Sequence, residues 1–164
     1  MYEKKGSDVI AHVSKYSRGA LGHMLKHYHR EKDINGNDIK YKNQSIDKDL
    51  TYLNKSLIER DITDLEFIHR RMEEVQYQDR KDLNVMADWI ITAPEEYRFT
   101  DQERQQLREH IAVSDELKEK IDRLEELFKT SFEILKERYG EKNIINCCIH
   151  YDETPLIYIL RLCP

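Results

Sequence analysis

The chain has 164 residues, of which 39% are hydrophobic and 36% are charged. This length and composition predict one soluble domain with a real core and a wet surface. No segment approaches the roughly 18 apolar residues of a membrane span, and the start, MYEKKGSDVIAHV, lacks the apolar region of a secretory signal. A membrane protein or an exported protein is therefore not expected.

The cysteines indicate a reducing compartment. There are three, Cys147, Cys148 and Cys163, so their number is odd. Two of them are adjacent, and adjacent residues of a strand point to opposite faces of a sheet. A disulfide framework is therefore not expected, and the cytoplasm is the simpler location.

Charge is unevenly distributed along the chain. Residues 1–60 hold 12 Lys and Arg against 8 Asp and Glu, whereas residues 61–164 hold 15 against 24. A basic N-terminal part on an acidic protein can bind polyanions locally. A solvated surface without a ligand is the alternative, and an offset of this size alone favours it.

The first half of the chain predicts a strand, two helices and one ambiguous segment. Val9, Ala11 and Val13 alternate as in a strand, and Leu21 and Leu25 are spaced for one face of a helix. In chain order, the expected elements are a strand over 8–16, a turn over 17–19, a helix over 20–30, a turn over 35–38, a segment over 47–57 that suits a strand or a helix, and a helix over 63–77.

The second half predicts two buried strands separated by two helices. Thr100 and Glu103 form a capping box, and Gly140 suits the end of a helix. The expected elements are a strand over 85–93, a helix from 100, a helix over 114–139 and a strand over 143–151. The apolar stripe of the long helix would suit a partner protein, but packing on the chain's own sheet is the simpler interpretation.

The stretch GHMLKHYHR carries the first candidate for chemistry. His23 and His27 are four residues apart on the predicted helix, a spacing that metal sites use, and His27 and Arg30 are also neighbours. A histidine beside cations can contact phosphate or act as a nucleophile or base. An exposed polar face without chemistry is the alternative, and spacing alone favours it.

The second candidate is the run from His150 to Glu153. If the strand continues, His150 and Asp152 face one way, and Tyr151 and Glu153 face the other. One histidine with carboxylates is a partial divalent-ion site, because such sites normally need three or more protein ligands. A turn at the end of the strand is the alternative.

Four blocks in order make most of the chain resemble the N-terminal relaxase domain of the Mob/Pre (MobV) family of plasmid mobilisation and recombination proteins. GALGHMLKHYHR is similar to the family's first motif, which ends in His-x-x-Arg. The other three blocks are IDKDLTYLN, MADWIITAP and ERYGEKNIINCCIHYDETP. The resemblance implies an α+β fold of the HUH-endonuclease type, an antiparallel sheet flanked by helices.

The resemblance also implies a function and roles for individual residues. Members nick one strand at a plasmid's transfer origin, and a divalent cation (Mn or Mg) polarises the scissile phosphate. His27 matches the proposed nucleophile, and His150 matches the first metal histidine. Asp152 and Glu153 match the acidic pair. The resemblance therefore implies that Asp152 belongs to the metal site and that Glu153 is a catalytic residue together with His27. Lys26, Arg30 and Arg18 are the expected DNA contacts. Plasmid origin DNA is the expected partner, and a homodimer is possible for a full-length relative.

The chain departs from the family pattern at the metal motif, His-x-Asp-Glu-x-Thr-Pro-His-x-His. It has one residue fewer before Pro155, and Leu156, Ile157 and Tyr158 follow in place of His-x-His. One DNA spelling of a family-like ending, with a single A deleted, translates as Glu153 to Cys163. We therefore expect residues 1–164 to be a single relaxase-like domain, truncated by a frameshift within the metal motif and incomplete at its C-terminus.

The expected activity follows from this departure. A lone imidazole with carboxylates cannot hold the cation in the family's geometry, so we expect negligible nicking. The alternatives are a DNA-binding protein without catalysis, which occupies the origin or its own promoter, and a helical partner-binding protein. A further possibility is an unstable fold, because the strand over 143–151 needs a neighbour to pair its backbone groups.

Overall fold

The computed structural model describes residues 10–31, 35, 46–110 and 113–163. In these residues five strands form one sheet: β1 (Ile10–Ser17), β2 (Lys55–Ser56), β3 (Asn84–Thr92), β4 (Ile144–His150) and β5 (Ile157–Leu162). The described α-helices are α1 (Leu21–Tyr28), α2 (Asp64–Glu74), α3 (Asp101–Arg108) and α4 (Asp115–Tyr139). None of these helices is both long and apolar enough to span a membrane.

The sheet has the strand order β1-β3-β5-β4-β2, and every neighbouring pair is antiparallel. Helices cover both of its faces. On one face, Leu124 and Phe128 of α4 pack against Tyr158 and Leu160 of β5 in the larger core. The other face carries α1 and α2, whose buried residues Leu21, Leu25, Ile68 and Met72 pack against Ile145 and Ile159. The fold is therefore the α+β class that the sequence predicts, an antiparallel sheet flanked by helices.

Local chemistry explains where the helices begin and end. The side chains of Thr63, Thr100 and Ser114 each accept a hydrogen bond from the backbone N–H three residues later, and Thr100 and Glu103 complete the capping box. Gly140, which follows α4, has a φ of 81° that favours glycine. The predicted helices over 20–30, 63–77 and 114–139 are thus confirmed, with ends shifted by at most three residues.

Three predicted segments are ambiguous in the sequence or fall partly outside the described residues. The ambiguous segment over 47–57 forms a 3-10 helix, Lys48–Leu53, followed by the short strand β2. The turn expected over 35–38 lies outside the described residues except for Asn35, which is in a turn. Strand β1 confirms the first predicted strand from residue 10 onward, because residues 8 and 9 are not described.

The apolar tail after Pro155 forms a strand that the sequence analysis did not assign. β5 lies in the middle of the sheet and pairs with β3 on one side and β4 on the other. The expectation that the strand over 143–151 lacks a neighbour is therefore wrong, because β5 pairs its backbone. The segment was not recognised because it follows a broken motif and because a charged residue, Arg161, interrupts its apolar run.

Candidate active site

The end of α1 aims Arg30 at the end of β4. Arg30 follows the helix with a φ of 53°, a left-handed conformation that is uncommon for a residue with a side chain. Its backbone N–H donates to the His27 carbonyl at 3.3 Å, and its Nη1 donates to the same oxygen at 2.9 Å. These bonds hold the guanidinium below the helix, over the turn that follows His150.

Arg30 is the centre of a buried polar cluster. Its Nε and Nη2 donate to the two carboxylate oxygens of Asp152 at 3.0 and 2.9 Å, and Nη2 also donates to Glu153 Oε1 at 2.6 Å. Nη2 lies 3.1 Å from Nδ1 of His150. Burial alone would raise the pKa of Asp152, but the adjacent His150 imidazole and the hydrogen bonds from Arg30 hold it well below its usual range. Asp152 is therefore ionised, and the Arg30 guanidinium neutralises it from within the protein.

The 3-10 segment before β2 fixes this turn from the other side. Asn54 Oδ1 accepts from the backbone N–H groups of Tyr151 and Asp152 at 2.8 and 3.3 Å. Thr51 Oγ1 donates to Asp152 Oδ2 at 2.9 Å. The block IDKDLTYLN resembles the family, but its sequence alone indicates no role for any of its residues. Thr51 and Asn54 are positioning residues of the site, and only the pairing of distant segments reveals it.

Glu153 differs from the expectation based on strand alternation. Because β4 ends at His150, the following turn brings Glu153 to the same side as Asp152, while the Tyr151 hydroxyl donates to Glu125 on α4 at 3.1 Å. Asp152 and Glu153 are both buried, with 0% and 5% of their surfaces exposed. The expectation that Glu153 faces away from Asp152 is therefore wrong, because it assumed a strand that continues past His150.

His27 is half-buried on α1 and held in its neutral form. Burial, the Arg30 guanidinium and His150 together lower its pKa to about 4. At pH 7 its imidazole is therefore neutral, which is the form that a nucleophile or a general base requires.

The remaining predicted residues lie outside this cluster. Lys26 is exposed on α1, and exposed Arg18 lies 3.5 Å from Asp79. His29 Nε2 lies 2.9 Å from Asp64 Oδ2. The group with metal-binding spacing among the described residues is His150, Asp152 and Glu153, whose ligand atoms lie within 4.8 Å of one another. His23 and His27 are not part of this group.

The residues present do not fit a divalent cation as they are arranged. The Arg30 guanidinium lies among the three potential ligands and binds the same oxygens that a cation would use. Nε2 of His150 is buried without a hydrogen-bond partner in the described part of the chain. The residue opposite His150 on β5 is Ile157, which offers no ligand atom. One imidazole and a carboxylate pair already bound to Arg30 leave the donor set incomplete.

The antiparallel sheet, with a histidine-bearing helix over a His-x-Asp-Glu turn, defines a relaxase-type α+β domain. The model of a family described as plasmid recombination enzymes (Mob/Pre) matches residues 6–121 and 111–164. The chain belongs to this family. The resemblance stated from four sequence blocks is thus confirmed.

Solved structures of one relaxase support the same fold. The chain is similar to the MobM relaxase domain bound to plasmid pMV158 oriT DNA in a Mn-bound crystal structure, with 23% identity, a TM-score of 0.66, and coverage of 95% of this chain and 70% of that chain. A second Mn-bound complex is 24% identical, with a TM-score of 0.64, and the match covers 95% of this chain and 70% of that chain. A complex with 26 nucleotides of the same origin is 20% identical, with a TM-score of 0.54, and the match covers 96% of this chain and 68% of that chain. No curated protein matches the chain significantly.

Proposed function

We propose that the chain binds single-stranded DNA of a plasmid transfer origin and that, with this sequence, it cleaves the strand negligibly. Membership of the Mob/Pre family and similarity to origin-bound MobM support the first part. Lys26 adds local support, because it is exposed near His27 and has no acidic partner among the described side chains. Lysines of this kind contact phosphates without reading sequence.

The observation that carries the second part is the closed Arg30 cluster. In the reaction expected for the family, a His27 nitrogen would attack the phosphorus, the bond to the 3′ oxygen would break, and the 5′ phosphate would stay on the protein. Negative charge that develops on the phosphate must be neutralised. Nε and Nη2 of Arg30 are already engaged by Asp152, Glu153 and His150, so they do not stabilise this charge. Glu153 likewise accepts from Arg30 and is not placed as a free base.

The test separates binding from cleavage. A random single-stranded DNA library is selected on the purified chain, and the enriched strand is measured by gel shift and by denaturing gels with Mn²⁺ or Mg²⁺. We expect a retarded complex, no cleavage product and no adduct that survives denaturation. Failure to enrich any sequence would overturn the binding proposal, and a metal-dependent adduct on His27 would overturn the proposal of negligible cleavage.

Charge variants show whether binding uses the expected surface. K26A and R18A should each weaken binding. Each should also reduce the slope of the logarithm of the binding constant against the logarithm of the salt concentration by about 1, because one phosphate contact is lost. K129A is the matched control, because Lys129 is 61% exposed on α4, on the opposite face of the sheet. Equal losses in all three variants would indicate a nonspecific charge effect and would contradict the assigned surface.

The closed cluster also favours a role without catalysis, in which the chain occupies the origin or its own promoter. Competition distinguishes these two sites. Promoter DNA that displaces the selected strand at a similar concentration would support control of the promoter, and promoter DNA that does not compete would restrict the role to the origin.

A further inference from the structure

A cavity of about 610 Å³ lies beside the Arg30 cluster, on the face of the sheet covered by α1 and α2. It is enclosed by α1, the segment that follows β2, and the first half of β4. Residues that line it include Gly22, Leu25, Lys26, Ile58, Ile145 and Cys148. No residue of the Arg30 cluster lines it, so it is a separate feature of the same face.

The walls of the cavity combine apolar surface with a few polar groups. Leu25, Ile58 and Ile145 provide apolar surface, and Ser56 and Cys148 add polar atoms near the floor. Apolar walls with a few polar groups are typical of pockets that accept a nucleobase taken out of a stack.

Two cations, Lys26 and Arg60, are among the residues that line the cavity. Lys26 has no acidic partner among the side chains that the structure describes. Arg60 is held in place, because it donates to the carbonyls of Ile144 and Ile145 at 2.6 and 2.9 Å and lies 3.7 Å above the Phe67 ring. The Asp64 carboxylate, which also lines the cavity, is hydrogen-bonded to Asn146 and lies 2.9 Å from His29 Nε2. The lining therefore carries two cations, Lys26 and Arg60, beside two carboxylates, Glu31 and Asp64, and exposed Lys26 is the cation available to a phosphate.

The cavity is continuous with the proposed DNA path. Lys26 and His29 line it, and His27 and Arg30 follow them directly in sequence. Cys148 precedes His150 by two residues on β4, which places the two side chains on one face and about 7 Å apart. A strand whose phosphate lies at His27 would thus reach the cavity with a neighbouring nucleotide.

We propose that this cavity receives one base of the bound DNA strand, next to the phosphate at His27, and so helps to determine which sequence is bound. The inference rests on the proposed function, because it requires that the chain bind single-stranded DNA. The stacked base would contribute to affinity through the apolar walls, and Lys26 would contact its phosphate.

Gly22 makes the inference testable by blocking the cavity. A Cβ added at Gly22 or at Gly19 would meet no atom within 4 Å, so a side chain can start from both positions without a clash at its first atom. Gly22 lines the cavity, whereas Gly19 lies one turn earlier and does not. G22W therefore fills the cavity, and G19W is a control for added bulk on the same segment.

The measurement is an abasic scan of the DNA strand selected on the wild-type chain, in which each base is removed in turn. We expect one position at which base removal weakens binding about tenfold in the wild type and in G19W. G22W should bind the intact strand about tenfold more weakly than the wild type does, because the tryptophan occupies the place of the base. Removal of that base should then not weaken binding by G22W any further. An unchanged scan in G22W would overturn the base pocket while leaving DNA binding intact. No binding by the wild type would overturn the proposed function itself.

A second measurement needs no variant. Cys148 is half-buried in the cavity, whereas Cys147 and Cys163 are buried. Alkylation of Cys148 by iodoacetamide, followed by peptide mass spectrometry, should slow several-fold when the selected strand is bound. The strand that lacks the critical base should leave the rate unchanged. Equal protection by both strands would contradict the base pocket.

Discussion

Ile157 lies directly opposite His150 in the antiparallel pairing of β5 with β4. Opposite residues share a face of the sheet, with Cβ atoms about 5 Å apart. Ile159, two residues further on, is buried on that same face among residues of α1 and α2. Leu156 and Tyr158 belong to the opposite core, under α4. The strand therefore presents isoleucines at the two positions nearest to the single histidine of the site.

These positions fit the hypothesis of a deleted nucleotide. One additional residue between Glu153 and Pro155 would move the family's His-x-His to the places now held by Ile157 and Ile159, because a shift of one residue exchanges the faces of a strand. The hypothesis is thus compatible with the register of the sheet.

Two substitutions test whether this face can hold a metal ion. I157H/I159H raises the number of imidazoles beside the acidic pair from one to three, and we expect Mn²⁺ to bind at least about tenfold more tightly than to the wild type. Isothermal titration calorimetry measures the affinity. The control is the same double variant with H150A, which should lose most of the gain. Equal binding by the double and triple variants would contradict a shared site.

Arg30 should contribute strongly to stability. R30Q leaves two buried carboxylates without their cation, and we expect the free energy of unfolding at pH 7 to fall by about 3–5 kcal/mol. R70Q is the control, because Arg70 pairs with Glu66 on the exposed surface of α2 and should contribute less than about 1 kcal/mol. Urea unfolding measures both. Similar small losses in the two variants would show that the cluster is solvated.

Asp152 gives the same cluster a dependence on pH. Its pKa is lower in the folded protein than in the unfolded chain, so the stabilisation is present above about pH 4 and is lost as the pH falls further. In R30Q this loss should be smaller. A wild-type protein that keeps its full stability down to pH 2 would contradict the ionised cluster.

Asp88 should act in the opposite direction. It is fully buried below α1, and burial raises its pKa to about 6 although Arg161 Nε lies 3.7 Å away. The folded protein therefore binds a proton that the unfolded chain has released between about pH 4 and 6, so stability decreases as the pH rises through this window. We therefore expect the free energy of unfolding of D88N, minus that of the wild type, to be about 3 kcal/mol larger at pH 7 than at pH 4.

Urea unfolding at several pH values measures this difference. In R161M the upper end of the window should move above pH 6, because Arg161 lowers the pKa of Asp88. A difference between D88N and wild type that does not change with pH would contradict a buried carboxyl with a raised pKa.

His27 should titrate near pH 4 rather than near the ordinary histidine value of about 6.5. An NMR titration of its imidazole nitrogens measures the midpoint directly. Because Arg30 is one cause of the shift, the midpoint should rise in R30Q. Titration of His27 near pH 6.5 in the wild type would mean that the imidazole is solvated and charged over part of the physiological range.

The sequence predicts much of the fold because its local signals agree with its tertiary structure. The capping box at Thr100, the apolar stripe of α4 and the glycine that follows it each act within a few residues, and each is confirmed. The first motif also brings attention to His27 and Arg30. These features depend on spacing along the chain, which a single sequence contains.

The rest depends on contacts between distant segments. Arg30 bonds to Asp152 and Glu153, and Asn54 supports the same turn, so the site joins residues about 100 positions apart. The left-handed φ of Arg30 depends on these contacts. Strand β5 was missed for a related reason, since Arg161 in its apolar run is tolerated only beside Asp88 and Asn146. A sequence pattern cannot show that a charged residue has a buried partner elsewhere.

The position of β5 between β3 and β4 also sets an order of assembly during translation. Before residues 157–162 leave the ribosome, β1 can pair with β3 and β2 with β4, but these two half-sheets have no strand that joins them. Each half then carries an exposed edge that can recruit another chain. A nascent chain that ends before this strand is therefore expected to depend on chaperones until residues 157–162 have emerged and joined the two halves.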